Sequence, residues 1–143
     1  MRTASEKQLL IGGAALEKLG SDRKTEDTDY LICVAGKPVF SFDKSRNTDY
    51  INAAAGNRFF AEIWKMEEKN QGEMASPAAL LELKAYALVQ HCLNGVWKKA
   101  DDCEHDMRFL MREYNLGLPK IVKKHVHTGG WLEIERVYQN LRK

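Results

Sequence analysis

Two aspartates one residue apart, Asp27 and Asp29, stand at the mouth of the apolar run "YLICV". Along an extended strand successive side chains point to opposite faces, so these carboxylates project to the same side, about 7 Å apart. Held that way they repel each other unless a proton or a cation intervenes. Hard carboxylate oxygens suit Mg²⁺, which takes one or two carboxylates together with substrate phosphates. Upstream, Gly12 and Gly13 follow the apolar "LLI" and open "AALEKLG". Without side chains, their backbone N–H groups can approach phosphate oxygens at the start of a helix. Arg23 and Lys24, in the loop before the aspartates, carry charge suited to the same phosphates. A lone D-x-D is as well explained by a capped turn, and Gly-Gly by a tight bend. The ordered set of strand, Gly-Gly, short helix, basic loop, D-x-D and strand is rarer, and it points to phosphate and metal chemistry.

Several elements must position these residues. "KQLLIGG" reads as a strand end, "AALEKLG" as a short helix stopped by Gly20, and "TDYLICV" as a strand. "AGKP" is turn chemistry, and "VFSFD" is expected to return as the second arm of a hairpin. "NTDYINAAAGN" is expected as a helix capped by Asn47 or Thr48 and closed by Gly56 or Asn57. "RFFAEIWKM", aromatic and β-branched, is expected as a third strand. No internal repeat stands out. From Ser76 the character changes. "SPAALLELKAYALVQHCLNG" has Ser76 as N-cap, Pro77 at the first helical position and Gly95 as the stop. Its apolar circumference predicts a helix buried on most sides and leaves a homodimer contact open. Asp101 to Tyr114 places Cys103, Met107, Leu110, Met111 and Tyr114 at helical spacing, with Gly117 as the stop. "GGWLEIERVYQNLRK" does the same with Trp131, Ile134, Val137, Tyr138 and Leu141. Strands first and helices after predict an α+β chain, a small mixed sheet with a helical C-terminal half. The sheet region is expected over residues 1–70 and the helical region over 76–143, packed on it as one compact domain.

The bulk numbers agree with a globular chain. It has 143 residues, 44% of them apolar and 29% charged, the size and balance of one domain with a core. A net charge of +2 neither demands nor excludes nucleic acid. No apolar run approaches the roughly 20 residues of a membrane span, and "MRTASEKQLL" lacks the core of a secretory signal. Cys33, Cys92 and Cys103 are odd in number and lack framework spacing, so they read as reduced thiols of a cytoplasmic protein.

"LIGGAALEKLG" followed by "R-x-T-x-D-x-D-Y-L-I" resembles the nucleotidyltransferase fold of the DNA polymerase beta superfamily. It is most similar to the minimal nucleotidyltransferases and the abortive-infection-type nucleotidyltransferase toxins of toxin–antitoxin pairs. "ASPAALLELKAYAL" and "KKADDCEHDMRFL" are similar to the second half of those toxin-like proteins, and the likeness runs from about Leu9 to about Leu110. It implies a sheet of the nucleotidyltransferase type and a Mg²⁺-dependent enzyme. Such an enzyme moves a nucleoside monophosphate from a nucleoside triphosphate, such as ATP, to a hydroxyl of a protein, an RNA end or a small molecule. Gly12 and Gly13 would lie under the triphosphate and Arg23 would grip the pyrophosphate. Asp27 and Asp29 would hold the metal ions. Lys84 would match the helix lysine, and Asp102 or Asp106 the following acid. The superfamily places a third carboxylate on a later strand. Glu62, between Phe60 and Trp64 on the expected third strand, is the candidate, with Asp49 and Asp43 as alternatives. The superfamily's usual Gly-Ser is Gly-Gly here, as in the toxin-like branch. Without a third acid the fold would bind nucleotide and not turn over, which makes a non-catalytic regulatory or antitoxin-like protein the competing reading.

Other residues invite chemistry less strongly. Lys84 rises from an apolar helix, where a phosphate or a snorkelled stem explains it equally well. His91-Cys92, Cys103-x-His105 and His125-x-His127 lack the paired spacing of a zinc site. "PKIVKKHVH" would serve a plain RNA-binding module, but a short basic face is more often solvated surface. Trp97 before Lys98-Lys99 reads as a core anchor before a stacking platform.

Overall fold

The computed structural model describes residues 7–141. Residues 1–6, on which part of the N-terminal reading rests, and residues 142–143 lie outside the described residues. The chain is α+β, with a four-stranded mixed sheet in the first half and helices through the second. It divides into two compact units that part between Ser76 and Pro77.

In the first unit, β1 (Leu9–Ile11) passes directly into α1 (Gly12–Lys18). Gly12 makes that junction possible. Its φ of +71° is open to glycine and strained for other residues. Gly20, at φ +100°, ends the helix as expected. β2 (Thr28–Ile32), β3 (Phe40–Asp43) and β4 (Thr48–Asn52) complete the sheet in the order β1-β2-β4-β3. β1 and β2 are antiparallel, β2 and β4 parallel, and β4 and β3 antiparallel. β4 therefore folds back into the gap between β2 and β3. The buried side chains of Leu9, Leu31, Ala15, Leu16, Phe59, Phe60 and Ile63 form the core under α1 and α2 (Arg58–Met66).

Three expectations for this half are corrected. "VFSFD" is a hairpin arm, but its partner is β4 and not the strand before it. The turn between them contains Asn47 at φ +49°, a left-handed residue and not a helix cap. "NTDYINAAAGN" begins with the strand β4 where a helix was expected. Its Asn52, almost fully buried, explains why the chain stays extended there. Asn52 Oδ1 accepts from the N–H groups of Val34 and Ala54, both at 3.0 Å. Its Nδ2 donates to the carbonyls of Val34 (2.8 Å) and Lys37 (3.0 Å), so one side chain pins the loop between β2 and β3. "RFFAEIWKM" is the helix α2 and not a strand. Asn57 Oδ1 caps it, accepting from Phe60 N–H at 3.0 Å. Its buried Phe59, Phe60 and Ile63 keep helical spacing, and that spacing outweighs their β-propensity.

Residues 67–76 are ordered against the sheet. Gly72 N–H donates to Gln8 O (2.8 Å), Leu10 N–H to Glu73 O (2.9 Å) and Ala75 N–H to Leu10 O (3.0 Å). This segment covers the outer edge of β1. Buried Glu67 ties its end, accepting from both the N–H and the hydroxyl of Ser76.

The second unit contains α3 (Pro77–Leu93), α4 (Trp97–Glu113) and α5 (Thr128–Asn140). α3 begins at Pro77 and is buried on most of its circumference, as its composition predicts. Leu80, Leu88, Val89, Met107, Leu110, Ile134 and Val137 are fully buried. α5 approaches α3 at Gly130, where a Cβ would come within 2.6 Å of Val89 Cγ1. Trp97, read as a core anchor, is instead 64% exposed at the first turn of α4. Among the described residues no helix is long and apolar enough to cross a membrane.

Candidate metal and nucleotide site

The register of the sheet assembles the acidic residues. Ile11 on β1 pairs with Asp29 on β2, Asp29 with Asp49 on β4, and Asp49 with Phe42 on β3. Register partners on neighbouring strands point to the same face, so these four form one row across the sheet. Asp29 and Asp49 thus rise from adjacent strands about 5 Å apart. The parallel ladder has its own cause in the sequence. β2 reads "TDYLI" and β4 reads "TDYIN", and they pair letter for letter, Thr28 with Thr48, Asp29 with Asp49 and Tyr30 with Tyr50. A short internal repeat is present after all. On the opposite face Tyr30 and Tyr50 stack with ring centroids 6.1 Å apart and planes 21° from parallel.

Gly12 meets this row. A Cβ there would collide with Asp29 Oδ2, so the carboxylate lies directly against the strand-to-helix junction. Gly13 is closed off differently, since a Cβ on it would lie 2.8 Å from Thr25 Cβ. Thr25 N–H donates to Glu17 Oε1 at 2.6 Å, which fastens the loop before β2 onto α1. Asp27, just ahead of β2, lines a shallow groove of about 410 Å³ with Ala14, Glu17, Lys18, Thr25, Glu26 and Thr28. A larger hollow of about 660 Å³, beside Leu10, Tyr30 and Met74, contains none of the three aspartates. Arg23 is half-buried in the preceding loop, its N–H donating to Ser21 Oγ at 3.3 Å.

Glu62 takes a different place from the one expected. The strand that was to carry it is α2, where Phe60 and Trp64, two residues to either side, cannot share its face. Asp43 stands on β3 with its side chain on the face opposite the row, as the neighbour of Phe42. It is engaged in the β3–β4 turn, accepting from Ser45 N–H (3.1 Å) and Ser45 Oγ (2.7 Å) with Arg46 at 3.8 Å. The Ser45 hydroxyl, above all, holds its carboxyl below the ordinary value. Of the three candidates for a later-strand acid, Asp49 is the one beside Asp29.

Lys84 belongs to the second unit. Its Nζ lies 2.9 Å from Oδ2 of the fully buried Asp106. That pairing accounts for an ammonium on an apolar helix within its own unit. Asp102 pairs with Lys98 at 2.7 Å along α4.

The donor set of the row, carboxylate oxygens only, is of the kind that Mg²⁺ takes. Among the described residues no group of three or more His, Cys, Asp or Glu is drawn together tightly enough to hold a metal ion. Asp29 and Asp49 share a face and a register. Comparison of the chain with protein-family models, curated proteins and solved structures gave no match.

Proposed function

We propose that the chain is a Mg²⁺-dependent nucleotidyltransferase, with Asp27, Asp29 and Asp49 as its carboxylates. The observation that carries this reading is the in-register pair Asp29–Asp49 on parallel strands, with Gly12 against Asp29. On this reading Asp49 would serve as the later-strand acid in place of Glu62. Asp27, Asp29 and Asp49 would hold the metal, which neutralises phosphate charge in such transfers. The backbone N–H groups of Gly12 and Gly13 would flank the triphosphate, and Arg23 the pyrophosphate. An acceptor hydroxyl attacks the α-phosphorus of the nucleoside triphosphate. A new P–O bond forms, the bond from the α-phosphorus to the bridging oxygen breaks, and pyrophosphate leaves. Asp49, between Asp29 and Phe42 in the row, would receive the hydroxyl proton.

The test has two arms. Mg²⁺ with a nucleoside triphosphate is expected to raise the melting temperature, since a ligand at one hundred times its Kd stabilises by about 2.7 kcal/mol. The D27N/D29N double variant and the single D49N variant are expected to lose that shift. Label from an α-labelled triphosphate is expected to enter an acceptor with release of pyrophosphate. A shift that survives in both variants removes the carboxylates as the metal site. A non-catalytic binding protein of the same fold is the second reading. The packing of Asp29 against Gly12 favours it, because that carboxylate already has a structural use. A metal-dependent shift without any transfer decides for it.

A further inference from the structure

The hairpin of β3 and β4 presents an alternation that the acidic row does not explain. Phe40, Phe42, Lys44 and Arg46 occur at every second residue, and all four are exposed. Phe40 is 62% and Phe42 53% exposed, large values for phenylalanine in a sheet. Both rings lie on the face that carries Asp29 and Asp49, because Phe40 pairs with Ile51 and Phe42 with Asp49. Phe40 is braced from behind. Buried Phe60 meets it edge to face, with centroids 6.0 Å apart and planes at 84°. β3 is also the sheet's bare edge. The segment 72–75 covers β1, and among the described residues no strand pairs with the outer side of β3.

We infer that this hairpin is a binding strip for single-stranded RNA, with bases stacked on Phe40 and Phe42 and phosphates met by Lys44 and Arg46. Single-stranded nucleic acid is recognised by this pairing of aromatic faces with a basic track, and every base offers a face to stack. Charge decides against an apolar partner. Lys37, Lys44 and Arg46 are exposed in the same segment, and Asp43, bound to Ser45 and Arg46, is its one acid between Lys37 and Asn47. The strip also has a direction. Phe42 is the register neighbour of Asp49, so a strand lying on it reaches the acidic row at that end. Only in this last respect does the inference rest on the proposed transfer chemistry.

The test is fluorescence anisotropy with a labelled single-stranded RNA 12-mer and the whole protein, in Mg²⁺ and without nucleotide. Binding is expected, and weaker binding of the same sequence as a duplex. F42L keeps apolar bulk and removes the ring. It is expected to weaken binding about tenfold, and F40A/F42A further. K44A/R46A is expected to flatten the dependence of log K on log salt by about 0.7 for each phosphate that the variant no longer neutralises. Circular dichroism of each variant confirms that the sheet is intact. No binding to the single strand, equal binding by F42L, or a dimer dispersed by F42L in sedimentation each overturns the inference. A protein that binds RNA through the strip but transfers no nucleotide overturns the transfer reading alone. Transfer to a protein or small acceptor that is indifferent to F40A/F42A overturns the direction given to the strip and leaves RNA binding to the anisotropy.

Discussion

At Gly12 one methyl group would meet two obstacles at once. The backbone is left-handed, and the space where a Cβ would go is filled by the Asp29 carboxylate. G12A is therefore expected to lower stability by at least about 1–2 kcal/mol, the cost of the backbone alone. Gly20 is a control, being equally left-handed with nothing within 4 Å of a built Cβ. Urea denaturation should show G12A as clearly the worse of the two, and equal midpoints would mean that Asp29 does not press on the junction. A second residue acts through hydrogen bonds. The buried Glu82 carboxylate accepts from the N–H groups of Ile121 (3.1 Å) and Val122 (2.8 Å), fixing the turn at Val122–His125 to α3. E82Q replaces two charge-assisted acceptors with one neutral one. Its expected cost is about 2 kcal/mol, read as a shift in the denaturation midpoint.

Helices α4 and α5 are joined by a clamp at the scale of elements. Glu104 accepts from Arg136 Nη1 (3.3 Å) and Nη2 (3.0 Å), and from Arg108 Nη1 at 2.7 Å. The Arg136 hydrogen bonds, first among several causes, hold the Glu104 carboxyl below its ordinary value, against the opposing effect of burial. A carboxyl depressed in the folded state contributes stability above its unfolded pKa, and that contribution is lost as pH falls through the folded value. E104Q is expected to cost about 1 kcal/mol near neutrality, since the site is partly screened by solvent. As pH falls through the depressed folded value and the native carboxyl also takes up its proton, the variant and the native protein should converge. Melting curves taken at a series of pH values from 7 down into the acid range, followed through the helical signal, check this, and a difference that never narrows would remove the clamp as its source. The helices that the sequence made plain were those with long periodic faces and marked ends, such as Pro77–Leu93. The two elements read wrongly were short. In α2 the aromatic content suggested a strand, while the positions of Phe59, Phe60 and Ile63 already fitted a helix. In β4 the cue was a comparison along the chain, "TDYIN" against "TDYLI", whereas the capping residues Asn47 or Thr48 and the stop at Gly56 or Asn57 suggested a helix. The strand expected at α2 is also what made Glu62 the candidate for a later-strand acid, with Asp49 and Asp43 as alternatives. Asp27, Asp29 and Gly12 were legible because their spacing is local. Asp49 depended on a strand pairing that no local window contains.

For the whole molecule, the inward placement of β4 sets an order of events. β1, α1 and β2 are neighbours in sequence and can associate early, and so can the β3–β4 hairpin, whose turn closes in microseconds. The parallel ladder between β2 and β4 joins these two local pieces across the intervening loop, at a greater entropy of closure. Asp29 comes from one piece and Asp49 from the other. Neither piece alone has the paired Asp29 and Asp49, so on the proposed reading a half-folded chain would lack the complete set of carboxylates. In stopped-flow refolding, the capacity to bind Mg²⁺ with nucleotide is expected to return only with the phase that closes the ladder. Recovery in an earlier phase would place the binding carboxylates within a single local piece. If the proposed transfer chemistry holds, completion of the fold would act as a licence for it, since the ladder that closes last is the one that sets Asp49 beside Asp29.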